Sequence, residues 1–245
     1  MNLAQMREKN LAETINAVRG AVNEDALINH ASNSIDELDK AANLLVKRFR
    51  EWIALTLPEV EHGLHDHEKL LELTLSRSRS ELLKEFRLTE GQSMGAVLSE
   101  ADEEEALLLA RQIRQLYELR EKHRSYLDRL LQRYAPNLRE LCGATIAANL
   151  IERAGSLRRL ALLPSSTVQL LGAEKALFRH LTRKAKPPKH GLIINHPIVA
   201  NAKKAEKGKA ARALAERISM CARLDYFKGE FKAPEYKKEL EGRFG

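Results

Sequence analysis

The chain has 245 residues and a mass of 27.7 kDa, with 44% apolar and 31% charged residues, which suits one large domain or two small ones. Only 5% of residues are aromatic, and twelve glycines and seven prolines are few for a turn-rich strand architecture, so the composition points to an all-α fold. With a mean hydropathy of -0.41 and no apolar run near the ~20 residues a bilayer-spanning helix needs, there is no membrane segment.

The opening MNLAQMREKN is charged and does not read as a signal peptide. Cys142 and Cys221 lie far apart without a CxxC, which fits reduced thiols in a cytosolic chain. The net charge of +7 is unevenly spread: residues 179–217 carry eleven Lys or Arg against Glu206 and Glu216, and the remainder is close to neutral. A cationic excess confined to one segment suits a phosphate-bearing partner, because each Lys or Arg that neutralises a phosphate releases a condensed counterion. Charge alone does not identify the polyanion, and a solvated face is the equal alternative.

In chain order, Ile28, Ala31, Ile35, Leu38, Ala42, Leu45, Phe49 and Trp52 alternate steps of three and four, the seam of a coiled coil. The helix is expected to stop at Pro58, and at ~1.5 Å per residue the stripe is roughly 36 Å long, so an equally long element must cover it. Leu109, Ile113, Leu116, Leu127, Leu130 and Tyr134 supply that element. It begins after Ser99, where Asp102 and Glu103 to Glu105 place negative charge in a first helical turn, and ends before Pro136. Arg120 and His123 fall on its seam, where buried polar groups fix register or partner choice; an exposed position is equally open. Joined through a shorter 68–88 segment, the two helices predict an elongated antiparallel coiled-coil hairpin.

Gly91-Gln92-Ser93-Met94-Gly95 reads as a turn. A third helix is expected near Asn137, whose side chain can cap it after Pro136, with Leu141, Thr145, Ala148 and Ile151 inward up to Gly155. From there the pattern shortens, punctuated by Pro164, Gly172, Pro187, Pro188, Gly191 and Pro197. The expected organisation is a helical coiled-coil domain over 1–134, a compact helical domain over 135–231 and a frayed charged tail over 232–245.

Several motifs carry less chemistry than they suggest. His62, His65 and His67 beside Glu61, Asp66 and Glu68 lack the cysteine or second spaced pair that would complete a four-ligand shell, so an exposed polar turn is expected. Ser165 and Ser166 follow Pro164 without a GxSxG elbow, which favours a helix cap over a hydrolase nucleophile. Lys207-Gly208-Lys209 fails as a phosphate loop, since Lys203 stands where a glycine is needed and Ala210 where Ser or Thr is needed. The SRSRS run at 76–80 is expected to be a solvated helix face rather than a recognition patch. With no paired carboxylates, activated nucleophile, metal set or cofactor fingerprint, the chain reads as a binding protein rather than an enzyme.

The most informative stretch is 155–197. Within it VQLLGAEKALFRHL is a short helix with Gly172 and Ala173 midway, and a glycine there costs ~1 kcal/mol relative to alanine, so something packs closely against it. A neighbouring helix or a ligand backbone would serve. Lys175, Arg179, Arg183, Lys184, Lys186 and Lys189 follow at spacings that can track a sugar-phosphate strand, with His190, Asn195 and His196 able to hydrogen-bond to or stack on bases.

These residues resemble the Nop-domain family. The likeness is carried by Leu163-Pro164-Ser165-Ser166-Thr167-Val168-Gln169, by Leu171-Gly172-Ala173-Glu174-Lys175-Ala176-Leu177-Phe178-Arg179, by Lys186-Pro187-Pro188-Lys189-His190-Gly191 and by His196-Pro197. It extends through Arg50-Glu51-Trp52, Pro58-Glu59, Ser93-Met94-Gly95, Ala135-Pro136-Asn137-Leu138, Gly208-Lys209-Ala210-Ala211-Arg212 and Gly229-Glu230-Phe231, covering roughly 24–231. The chain resembles the archaeal core proteins of box C/D guide ribonucleoproteins and, more distantly, a eukaryotic pre-mRNA splicing factor.

The resemblance implies an all-α protein: an elongated antiparallel coiled-coil domain, which pairs two copies or a copy and a paralogue, followed by a compact helical Nop domain. It implies recognition of a kink-turn RNA together with the small protein already bound to it. Gln169, Lys175, Arg179, Lys189, Asn195 and His196 would meet RNA. Gly172, Ala173, Glu174, Ala176, Leu177 and Phe178 would dock between RNA and the bound protein. Guide-particle members carry a further N-terminal domain that binds the methyltransferase fibrillarin. Here the coiled coil begins within roughly 25 residues of Met1, so fibrillarin is not expected as a partner if the chain is natively this short. The implied location is the cytoplasm of an archaeal cell, or the nucleus of a eukaryotic one.

Overall fold

The computed structural model describes residues 3–183 and 185–244, and among them every regular element is helical. Helix α1 (Leu3–Gly20) buries none of its side chains. The 33-residue α2 (Glu24–Thr56) starts with Glu24 and Asp25, whose charges suit a helix N-terminus, and ends where Pro58 opens α3 (Pro58–Gly63). Helices α4 (His67–Ser76) and α5 (Arg79–Glu85), a 3-10 turn at Glu90–Gln92 and an extended segment lead to α6 (Glu100–Tyr134). Helix α6 starts directly after Ser99, as expected, and Ser99 caps it, with the Asp102 N–H donating to Ser99 Oγ at 3.3 Å.

The chain divides into two compact units, residues 34–123 and the remainder, so both divisions fall inside α2 and α6 rather than at the proline after Tyr134. Within 34–123 the two helices run antiparallel. Trp52 and Ala106 line one cavity of about 300 Å³, and further along Arg120 Nη1 lies 2.9 Å from Asp39 Oδ1. Val46, Phe49 and Ile53 of α2 share a core with Leu70, Leu71, Leu82, Leu83 and Ile113.

That core corrects the expected seam. Ile28, Ile35 and Phe49 are buried, and Leu38 and Leu45 are half-buried, but Trp52 is 37% exposed while Ile53 is 4% exposed. The buried register runs through Ala42, Val46, Phe49 and Ile53 because α4 and α5 cover that side of α2, which leaves Trp52 on the cavity rim. The polar break in the second stripe is a bridge. Arg120 reaches Asp39 of α2 and Glu68 of α4, the latter at 2.8 Å, and its guanidinium stacks 4.8 Å from the Tyr117 ring centroid.

The remaining motifs of this unit fasten loops. Arg50 donates to the Glu61 carboxylate at 2.7 Å and to the carbonyls of Glu61 and Leu64, closing the end of α3, and contacts His67 Nδ1 at 3.2 Å. Among the described residues no group of three His, Cys, Asp or Glu is placed to hold a metal ion. In the SRSRS run Ser76, Arg77, Ser78 and Ser80 are exposed, as a solvated face requires, and Arg79 is the exception. Arg79 turns inward and donates to the carbonyls of Thr56, Gly95 and Ala96, carbonyls that extended or terminal backbone leaves without helical partners. Glu59 accepts the Met94 N–H at 2.7 Å and the Ser93 hydroxyl at 3.1 Å, and the bond from Met94 foremost holds its carboxyl below the ordinary value.

The other unit joins residues before Ser34 to those after His123. Besides α1, the start of α2 and the end of α6, its helices are α7 (Pro136–Cys142), α8 (Ala144–Ala154), α9 (Leu157–Leu162), α10 (Ser165–Leu170), α11 (Glu174–Arg183), α12 (Pro197–Ala200), α13 (Lys207–Tyr226) and α14 (Ala233–Phe244). The axis is α13, whose buried face, Ala210, Ala211, Leu214, Ala215, Ile218 and Ala222, is small enough for α7, α9 and α10 to approach closely. The Leu157 N–H donates to Asp25 Oδ1 at 2.9 Å, tying the first turn of α2 to α9.

Two expectations are corrected here. Asn137 does not cap its own helix; its side chain donates to Asp225 and Glu230 O and accepts the N–H groups of Lys232 and Ala233. The tail does not fray. It forms α14, with Ala233 and Leu240 buried and Arg217 Nη2 held 2.7 Å from Glu239 while its guanidinium stacks on Tyr236. Its apolar residues are few, but Leu240 and the pairing of Tyr236 and Glu239 to α13 suffice to dock it.

Candidate nucleic-acid interface

Helix α10 begins directly after Pro164, which occupies the N-cap position itself and places Ser165 and Ser166 inside the first turn, so the capping role expected of them is not taken. The chain leaves α10 through Gly172, whose φ of +85° lies in the left-handed region that side chains disfavour. A Cβ there would lie 2.5 Å from Leu192 Cγ, so the close neighbour expected at this glycine is Leu192 of the same chain.

Helix α11 follows, and none of its residues is buried. The Gly172 N–H donates to Glu174 Oε1 at 2.7 Å. Burial opposes ionisation of this carboxylate, but the bonds from Gly172 and from its own backbone N–H, with Arg153 nearby, hold it below the ordinary value. Sequence reasoning missed Arg153, because no local spacing links α8 to the start of α11.

Helical spacing puts Glu174, Leu177, Phe178 and Leu181 on one face, and Lys175, Arg179 and Arg183 on the face beside it. Phe178 is 66% and Leu181 73% exposed, while Ala173, Ala176 and Leu177 are half-buried. Glu174, Lys175, Phe178 and Arg179 line a shallow hollow where the two faces meet. A bare aromatic ridge flanked by cations can bury apolar surface against a protein and bind phosphates with the same helix.

The chain returns along 185–191, with Lys186 and Lys189 exposed and His190 half-buried. His180 Nδ1 contacts Ala185 O at the outer turn, and at the base Gln169 Nε2 donates to Lys189 O at 2.6 Å. The expected cations Lys175, Arg179, Arg183, Lys186 and Lys189 thus belong to one excursion clasped at both ends. Lys184 lies outside the described residues. Asn195 is exposed on a 3-10 turn (Leu192–Asn195).

His196 is corrected. It is 6% exposed, with Nε2 donating to Leu141 O at 2.9 Å and Nδ1 accepting the Ile198 N–H at 3.3 Å as the N-cap of α12. Both ring nitrogens are used inside the chain, and burial foremost lowers the pKa below its ordinary value, so the ring is a neutral structural bridge rather than a base contact.

A family model described as the Nop snoRNA-binding domain, fibrillarin, matches residues 34–245. A NOP5 family protein of Methanocaldococcus jannaschii is 38% identical over 237 residues, which cover 91% of this chain and 57% of the relative. Nucleolar protein 58 of Sclerotinia sclerotiorum is 35% identical over 240 residues, covering 90% of this chain and 42% of the relative. A chain from the crystal structure of a fibrillarin/Nop5p complex matches with a TM-score of 0.56 and 27% identity, covering 99% of this chain and 78% of that one. The chain therefore spans 57% or less of the length of these two curated relatives.

Proposed function

We propose, from the premise that this chain belongs to the Nop family, that it is a non-enzymatic RNA-binding scaffold of a box C/D-type ribonucleoprotein. It recognises a kink-turn RNA together with the small protein already bound to that RNA. The observation that supports this reading is α11, which exposes Phe178 and Leu181 beside Lys175, Arg179 and Arg183. The apolar face from Gly172 to Phe178 meets the bound protein, and the cations of α11 and of 186–190, with Asn195, meet RNA. Neither face alone binds strongly, so assembly is ordered: the small protein first, this chain second.

The test is affinity of the full chain for a kink-turn RNA with and without its small protein, at several salt concentrations. Strong preference for the protein-bound RNA is expected, with log affinity falling by about 0.9 per phosphate contact per decade of salt. Equal affinity for protein-bound kink-turn RNA and for bare duplex of the same length overturns the reading. The family description names fibrillarin, which favours a guide-particle setting over a spliceosomal one, and recovery of fibrillarin with the chain decides between them.

The helical hairpin is read as a pairing element for a second copy or a paralogue. Along α6, Glu100, Asp102 and Glu103 to Glu105 occupy one end while Arg111, Arg114, Lys122, Arg129 and Arg133 follow, so an antiparallel copy would set opposite charges against each other. Sedimentation at rising salt checks this, and a monomer at every concentration and ionic strength refutes it.

A further inference from the structure

We infer that Gln169 is a positioning residue, which pins the returning segment 185–191 to the end of α10 and so fixes Lys186 and Lys189 beside α11. This rests on the reading of α11 and that segment as the RNA-facing surface.

The geometry assigns Gln169 two bonds to the strap. Its side-chain Nε2 donates to Lys189 O at 2.6 Å, and its backbone O accepts the Gly191 N–H at 2.8 Å. The Leu192 N–H then donates to Leu171 O at 2.7 Å, completing a short ladder between strap and helix end. Gly191 permits this approach: a Cβ at that position would sit 1.9 Å from Leu171 O, closer than any side chain tolerates.

The strap depends on these bonds because of its own composition. Pro187 and Pro188 have no N–H groups, so the segment cannot be zipped to a neighbour along its length. Its course is set at its two ends, by His180 at Ala185 and by Gln169 at Lys189. One amide N–H of Gln169 is engaged by the Lys189 carbonyl, and the Lys189 side chain itself is exposed. Held this way, the cations of α11 and of the strap present two rows at a fixed separation, and binding need not order the strap.

The experiment uses the full chain in two arms. In the ligand-free arm, hydrogen exchange at Gly191 and Leu192 is compared in wild type, Gln169→Ala and Gln169→Met, the latter keeping the side-chain length without the donor. Exchange about tenfold faster at these amides, with α13 amides and Tm unchanged, is expected. In the binding arm, a double-mutant cycle joins Gln169→Ala to Lys189→Ala on kink-turn RNA carrying its small protein. Lys189→Ala is expected to weaken wild-type binding roughly fivefold, of the order of one phosphate contact, and the Gln169→Ala background less than about twofold.

Unchanged exchange at Gly191 and Leu192, or a Lys189→Ala effect equal in both backgrounds, overturns the inference. A wild-type chain that binds protein-bound RNA no better than bare duplex refutes the functional reading instead, and the exchange arm then decides the role of Gln169 by itself.

Discussion

Asp225 caps α7, the helix whose first turn holds Asn137. From α13 its carboxylate accepts the backbone N–H of Asn137 at 2.9 Å, that of Leu138 at 2.8 Å and the Asn137 side-chain amide at 2.9 Å. Burial foremost raises this carboxyl above its ordinary value, and the three N–H groups offset part of that cost. Asp225→Ala leaves two buried backbone donors without partners and frees Asn137 from one side of the site where it also holds the N–H groups of Lys232 and Ala233. A loss of about 3 kcal/mol in urea unfolding is expected, with earlier exchange of α14 amides. A loss below about 1 kcal/mol refutes the cap.

His196 makes acid stability depend on one ring. Its pKa lies below the ordinary value near 6.5, with burial as the first cause, the charge of Lys237 acting in the same direction, and Leu141 O and Glu241 opposing them. Between the lowered folded pKa and 6.5 the unfolded chain binds more protons, so stability rises with pH across that window and falls as the solution is acidified through it. The Tm is expected to drop by about 2–4 °C from this group between pH 7.5 and acid. His196→Asn keeps a capping side chain for α12 but cannot titrate, so the difference in Tm between wild type and variant shrinks on acidification. A difference that stays constant with pH contradicts the buried neutral ring.

Arg120 joins α2 and α4 to α6 through Asp39 and Glu68, and these acceptors hold its guanidinium above the ordinary arginine value against the opposing effect of burial. Arg120→Lys keeps the charge but not the fork that spans two helices. Destabilisation of about 1–2 kcal/mol is expected, reduced from the fully buried case because Asp39 and Glu68 are partly exposed. A double-mutant cycle with Asp39→Ala measures the coupling, and a coupling near zero shows the bridge to be passive.

How much of this was legible in the sequence depends on the range of the interaction. Helices α2 and α6 announced themselves, because a three-four apolar pattern and a proline stop are local signals. The switch from Trp52 to Ile53 as the buried residue was not visible, since helices covering α2 from residues 67–85 choose between adjacent registers. Asp225 and Asn137 are 88 residues apart, and no spacing rule links a helix-terminal carboxylate to the N-terminus it caps. Arg79 read as one more cation in SRSRS because its acceptors are main-chain carbonyls that carry no sequence signature. The cations of the α11 excursion were legible as charge, whereas the clasp through Gln169 depends on a backbone oxygen and was not.

The two faces of α11 separate by mutation. Phe178→Ala removes a large ring that is 66% exposed, so the free chain keeps its stability to within about 0.5 kcal/mol. If that ring seats on the small protein, the variant loses affinity for protein-bound kink-turn RNA by ~10-fold or more while its weak affinity for bare RNA stands. Lys175→Glu with Arg179→Glu does the opposite: both affinities fall, and the salt dependence flattens by roughly two phosphate contacts. The split follows from geometry, since positions 174, 177, 178 and 181 and positions 175, 179 and 183 lie on adjacent faces of one helix. Affinity measured against salt for each variant, with and without the small protein, checks it. If Phe178→Ala weakens bare RNA binding as much as it weakens the ternary complex, the apolar face is an RNA-stacking surface and the division of labour along α11 is refuted.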